Sequence, residues 1–66
     1  MNNTTMRNRV TAILERGVKA SEIAKQANMK HSNFNCWLHE NKEMRVATLN
    51  RVNDAIEAIK RNIAEI

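Results

Sequence analysis

The sequence contains no proline, one glycine and one cysteine among its 66 residues. Because proline and paired turn residues are missing, the usual signals for β-hairpins are missing too. A single cysteine excludes an intramolecular disulfide, and no set of Cys and His residues has the spacing of a structural zinc site. These absences exclude a disulfide-rich secreted fold, and the free thiol is typical of a reducing compartment such as the cytoplasm.

Long apolar runs are also missing. A helix that spans a bilayer needs about 20 consecutive apolar residues, and no stretch of this sequence approaches that length. Residues 1–5 are polar after the first methionine, which is unlike the apolar core of a signal peptide. The sequence therefore predicts a soluble protein without a membrane partner.

What the sequence does contain is 42% apolar residues and a formal charge of +4, from eleven Lys and Arg against seven Asp and Glu. Residues 1–66 are expected to form one domain with a small core, because short chains bury a smaller fraction of their surface. Burial through dimerisation would add to that core. The positive charge favours a polyanionic partner.

Apolar residues recur with the 3.6-residue period of an α-helix, which predicts an all-α fold of four helices. The first three are predicted over residues 5–16, 20–27 and 31–39, and a long fourth helix opens between Val46 and Leu49. Thr5 is predicted to be the N-cap of the first helix and Gly17 its C-terminal stop. Residues 39–45 are charged and aperiodic, which indicates a loop.

The second and third predicted helices have the pattern of a helix-turn-helix. Ala24 is small enough for the two helices to cross closely, and Asn28 is a residue type that tolerates the left-handed conformation of a tight turn. Four apolar side chains are expected to hold the third helix against the rest of the domain: Ile23, Met29, Phe34 and Trp37.

The segment Ala20–His39, ASEIAKQANMKHSNFNCWLH, resembles the helix-turn-helix of the phage Cro and repressor family, and the resemblance extends over roughly residues 5–56. It implies a lambda-repressor-like fold of three short helices and one long C-terminal helix. Residues 48–56 also look like the helix that follows the motif in lactose-repressor-type headpieces.

The sequence departs from the pattern of the Cro and repressor family at Lys19, Ala20 and Asn28. The first two remove the usual cap of the second helix and one polar contact with DNA.

The resemblance implies double-stranded DNA as the partner, with the third helix in the major groove. Asn35 is the best candidate for reading a base, since its amide pairs with adenine through a donor and an acceptor. The full set of candidate base-reading residues is Lys30, His31, Ser32, Asn33, Asn35, Cys36 and His39. Three further residues, at loop or helix ends, are candidates for neutralising phosphates: Lys19, Lys42 and Arg45.

The last helix continues its apolar pattern beyond the part that three short helices are expected to cover. Ile59, Ile63 and Ile66 are therefore predicted to contact a second copy of the chain, which makes residues 57–66 a dimerisation extension. Together with the resemblance, this pattern predicts a dimeric transcriptional regulator. It would be a repressor of phage or mobile-element origin that binds a pseudo-palindromic operator in the cytoplasm or nucleoid of a bacterial host.

Other functions remain open at this stage. An antitoxin or an excisionase would use a similar DNA-binding domain, and an anti-repressor would use the apolar stripe of the last helix to bind another protein. An enzyme is not expected, because a short helical chain offers no evident pocket or oxyanion donors. Cys36 and His39 share a helical face but lack further ligands, so neither a metal nor another cofactor is predicted, and no small-molecule ligand is expected.

Overall fold

The computed structural model of the chain describes residues 2–64, with side chains up to residue 62. This part of the chain contains four α-helices and no β-strand. The helices are α1 (Asn3–Leu14), α2 (Ala20–Gln26), α3 (His31–His39) and α4 (Val46–Ala64). The predicted all-α class and the long C-terminal helix are therefore confirmed.

The first helix begins and ends two residues earlier than the sequence predicts. Asn2 is its N-cap, with an extended backbone, and its side-chain oxygen accepts a hydrogen bond from the Thr5 N–H at 2.7 Å. The prediction that Thr5 caps this helix is wrong, because Asn2 offers an equally good acceptor one turn earlier. Gly17 does end the segment as predicted, with a φ of +98° that other residues rarely adopt.

The α2–α3 unit agrees closely with the prediction. Residues 27–30 form the turn between the two helices, and α3 has the predicted bounds. Asn28 takes the predicted left-handed conformation with a φ of 57°. The N–H of Met29 then bonds to the carbonyl of Ala24 at 3.0 Å, so the turn closes directly onto α2.

The core lies where all four helices meet. The α2 helix packs against α3 and α4, while α1 packs against α4. Ala24 is completely buried, as the crossing of two helices requires. The core residues are Met6, Val10, Ile13, Ile23, Ala24, Ala27, Phe34, Trp37, Leu49, Val52, Ala55, Ile56 and Ile59.

The prediction that Ile59 contacts a second copy of the chain must be corrected. Its side chain is only 6% exposed within the chain itself, so it does not lie beyond the reach of the short helices. Asn3 bonds to Met44, and Arg9 bonds to Asn53, so α1 follows α4 in the same direction. Arg9 also lies 3.9 Å from Glu57, two residues before Ile59. The side chain of Ile63 and the whole of Ile66 lie outside the described residues.

Candidate nucleic-acid interface

The α3 helix is fixed through one face. Phe34 and Trp37 are buried, and their ring centroids lie 5.6 Å apart at an interplanar angle of 43°. Leu38 is half-buried against the same core. Large aromatic contacts of this kind orient a helix firmly, so the opposite face of α3 points consistently outwards.

The outward face carries the residues that the sequence predicts for base reading. Asn35, Cys36 and His39 follow Ser32 by three, four and seven positions, which places all four residues on one side of the helix. Asn35 and Cys36 are half-buried, whereas the other candidates on α3 and at its start are exposed: Lys30, His31, Ser32, Asn33 and His39. Asn33 lies at the flank of this face, nearer to the side of Trp37. The structure thus brings most of the predicted set together on one surface.

Two of these side chains form a pair. The amide nitrogen of Asn35 lies 3.2 Å from Nε2 of His31, one helical turn away. When Nε2 is unprotonated it accepts a hydrogen bond from this amide. The carbonyl oxygen and the second N–H of Asn35 then remain available, so the two groups needed to pair with adenine are still present.

Lys42 lies in the loop between α3 and α4, residues 40–45, and its side chain is exposed. A hydrogen bond to Glu40 raises the pKa of the Cys36 thiol above its ordinary value, and burial and the charge of Glu40 add to the rise. The charge of Lys42 lowers the same pKa. Arg7 binds the carbonyls of both Trp37 and Lys42, so the backbone of Lys42 lies beside the last turn of α3.

The other two candidate phosphate contacts are placed at helix starts. Lys19 is the N-cap residue of α2, and within the described chain its side chain forms no capping hydrogen bond. Arg45 directly precedes α4, and its carbonyl accepts from the N–H of Leu49. Both side chains are exposed. Each is therefore free to reach a polyanion, although they belong to separate loops.

A groove of about 480 Å³ lies between α2 and the start of α3. Its lining consists of Ser21, Ala24, Lys25, Asn28, Met29, Lys30 and His31. Ser21 and Lys25 are polar residues of this surface that the sequence analysis does not single out. Their four-residue spacing on a short helix is the signal that could have found them, because it places both on the side of α2 next to α3.

Arg51 holds the turn of the α2–α3 unit from the outside. Its Nε donates to the carbonyl of Ala27 at 3.0 Å, and its Nη2 donates to the carbonyl of Asn28 at 2.8 Å. Carbonyls at the end of a helix have no partner within the helix, and a guanidinium group is well suited to bind two of them. Arg51 thus ties α4 to the turn that sets the position of α3.

A second network ties the start of α1 to the end of α3. The Asn3 side-chain oxygen accepts from Nε1 of Trp37 and from the N–H of Met44, both at 2.8 Å. The guanidinium of Arg7 lies 5.2 Å from the centroid of the Trp37 ring. It donates to the carbonyls of Trp37, at 2.9 Å, and Lys42. The loop between α3 and α4 is therefore anchored by α1.

Comparisons with protein families, curated proteins and solved structures give no match for this chain. No helix in the described range is long and apolar enough to cross a membrane. Among the described side chains, no three His, Cys, Asp or Glu residues are grouped as a metal site requires.

Proposed function

We propose that the protein binds double-stranded DNA sequence-specifically, with α3 in the major groove. The observation that carries the proposal is the division of α3 into a buried aromatic face and an exposed polar face. Phe34 and Trp37 fix the helix, while Asn35 and its neighbours face outwards. A rigid helix with outward hydrogen-bonding groups is what reading base edges requires.

The proposal divides the roles among the side chains. Asn35 reads adenine through its amide, and Ser32 and His31 contact neighbouring base edges from the same face. Lys42 neutralises a phosphate beside this face, and Lys19 and Arg45 do the same at the starts of α2 and α4. Contacts with phosphates position the protein on DNA, whereas contacts with bases select the sequence.

A regulator of transcription is the fullest form of this proposal. Two copies on a pseudo-palindromic operator would double the number of base contacts and exclude a competing protein by occupancy. The dimer contact is proposed for the C-terminal residues Ile63 and Ile66, since Ile59 belongs to the core of one chain. This role places the protein with the DNA of a bacterial cell, in its cytoplasm or nucleoid.

The burial of α4 argues against the alternative that the protein is an anti-repressor. That alternative depends on an apolar stripe along α4 that is open to another protein. In the described part of α4 the stripe is buried in the chain's own core, including Leu49, Val52, Ile56 and Ile59. The single large apolar side chain exposed among the described residues is Val46, at the start of the helix. A lone exposed apolar residue is ordinary for a protein surface.

Selection of bound sites from a pool of random double-stranded DNA, with the full chain as bait, tests this proposal. We expect a palindromic or pseudo-palindromic site to be enriched and to include adenine in each half. Binding of that site and of random DNA is then compared by electrophoretic shift at two salt concentrations, because non-specific binding depends mainly on phosphates. A pool that stays random after repeated rounds would refute sequence-specific binding.

A further inference from the structure

Arg7 and Asn3 anchor the loop of residues 40–45 to α1 across a large distance in sequence. Arg7 donates to the Lys42 carbonyl, which is 35 residues away. Asn3 binds both the N–H and the carbonyl of Met44, at 2.8 and 3.4 Å. The two residues on either side of Glu43 are thus held by one turn of α1.

Arg7 is chemically suited to this task because it makes three contacts at once. The last carbonyls of a helix are unpaired within the helix, and Trp37 lies in the last turn of α3. The guanidinium of Arg7 binds the Trp37 carbonyl at 2.9 Å and also lies against the Trp37 ring. A lysine would keep the charge but has no planar fork of donors to bind two carbonyls in different directions.

The Arg7 guanidinium binds the carbonyls of both Trp37 and Lys42, so it ties the backbone of Lys42 to the last turn of α3, whose outward face carries the candidate base-reading residues. The charge of Lys42 acts on the thiol of Cys36, which lies on that face. The Lys42 backbone is held by Arg7, while its side chain is exposed. The backbone anchor therefore fixes the point on the loop from which this side chain extends.

We propose that Arg7 is a positioning residue that directs Lys42 to a DNA phosphate next to the major groove occupied by α3. This inference rests on the proposed function and adds to it that one phosphate contact is set by α1 rather than by the helix-turn-helix. Arg7 acts through the loop and does not itself touch the DNA. Asn3 supports the same loop through Met44.

The substitution Arg7→Lys tests the proposal, because it preserves the net charge and removes the double contact. Binding of the selected site and of random DNA is measured over a series of salt concentrations. We expect the slope of log affinity against log salt to become flatter by roughly 0.9 for each copy bound, as for the loss of one phosphate contact. The ratio of specific to random affinity should stay unchanged.

Arg9→Lys is the matched control, since Arg9 lies on the same helix but bonds to Asn53 of α4. The salt slope of this variant should equal that of the wild type.

A purely structural role for Arg7 would give a different result. Loss of folded protein weakens binding by the same factor at every salt concentration, so it leaves the slope unchanged. In a Lys42→Ala background, Arg7→Lys should cause no further flattening, because the contact that Arg7 directs is already absent. Further flattening in that background would show that Arg7 contacts phosphate itself and would overturn the proposal. An unchanged slope in the single variant would overturn it as well.

A measurement without DNA checks the anchor independently. Amide hydrogen exchange of Met44 should be faster in Asn3→Ala than in the wild type, because the acceptor of its N–H is removed. In Asn3→Asp, which retains an acceptor oxygen, exchange should be slower than in Asn3→Ala. Equal exchange in wild type and Asn3→Ala would refute the anchoring of the loop.

If the wild-type chain binds no DNA at any salt concentration, the proposed function fails and this inference fails with it. If the wild type binds and only the slope prediction fails, the proposed function stands.

Discussion

At the scale of single residues, Asn35 and Lys42 are proposed to act on different parts of the DNA, so their substitutions should have different signatures. Asn35→Ala removes a neutral amide that we propose reads a base edge. It should cost about 1 to 3 kcal/mol on the selected site, leave random-DNA affinity nearly intact and leave the salt slope unchanged. Electrophoretic shift with both DNAs over a salt series measures all three quantities.

Lys42→Ala serves as the counterpart in the same assay. It should weaken binding to the selected site and to random DNA alike, and flatten the salt slope by roughly 0.9 per copy. If Asn35→Ala instead weakened every sequence equally, α3 would not be reading bases. The assignment of the major-groove helix would then have to be abandoned.

Cys36 gives a second prediction at this scale, because its thiol reports on the charges around it. A hydrogen bond to Glu40 raises the pKa of the thiol, so less thiolate is present at neutral pH and alkylation should be slow. The alkylation rate should rise steadily with pH and level off only above this elevated pKa. Glu40→Gln should lower the pKa and speed alkylation at a given pH, whereas Lys42→Ala should raise the pKa and slow it. Shifts of the same sign in both variants would contradict the arrangement of these charges around Cys36.

At the scale of helices, the crossing of α2 with its neighbours depends on Ala24. Its side chain is fully buried in the core, so there is no room for a larger group. Ala24→Leu should destabilise the fold by about 1 to 3 kcal/mol through overpacking. Thermal melting followed by circular dichroism measures this loss. Ala12→Leu, at an exposed position of α1, is the control and should leave the melting temperature nearly unchanged. An unchanged melting temperature for Ala24→Leu would mean that the crossing lies elsewhere.

The position of the α2–α3 turn depends on a residue of α4. Arg51→Gln removes a charged donor from the carbonyls of Ala27 and Asn28, so we expect a loss of about 1 to 3 kcal/mol, as for hydrogen bonds to charged groups. Chemical denaturation measures the free energy of unfolding. Arg61→Gln, at an exposed position on the same helix, removes the same charge and should have little effect. Equal losses in the two variants would show that net charge, and not the contact with the turn, is responsible.

At the scale of the whole molecule, the proposed dimer must be separated from the stability of one chain. Ile59 is a core residue, and its replacement by alanine should cost about 2 to 5 kcal/mol whether or not a dimer forms. Ile63→Lys is therefore the better probe of the interface. Sedimentation equilibrium should find a dimer for the wild type and a folded monomer for Ile63→Lys. A wild-type chain that stays monomeric at high micromolar concentration would contradict the dimer.

Sequence alone was sufficient to predict the features that depend on local preferences. The period of the apolar residues predicts four helices, and it places Phe34 and Trp37 on the buried side of α3 because a helix repeats every 3.6 residues. Asn28 and Gly17 adopt left-handed conformations because few other residue types tolerate them. The outward polar face of α3 follows from the same periodicity. The wrong prediction that Thr5 caps α1 also has a local cause, since Asn2 and Thr5 are both good N-cap residues.

The tertiary structure decided which distant residues meet. Arg51 lies 24 residues from Ala27, and Asn3 lies 41 residues from Met44, so no periodicity within one helix relates them. Ile59 was assigned to a partner chain for the same reason: its burial depends on how α4 packs against the rest of the chain. Periodicity fixes which face of a helix is apolar, but the course of one helix along another depends on the packing of all their side chains together. The helices and the candidate DNA-binding face of α3 could therefore be predicted from the sequence. The contacts of Arg7 and Arg51, which hold this face in place, depend on how the helices pack and could not be predicted.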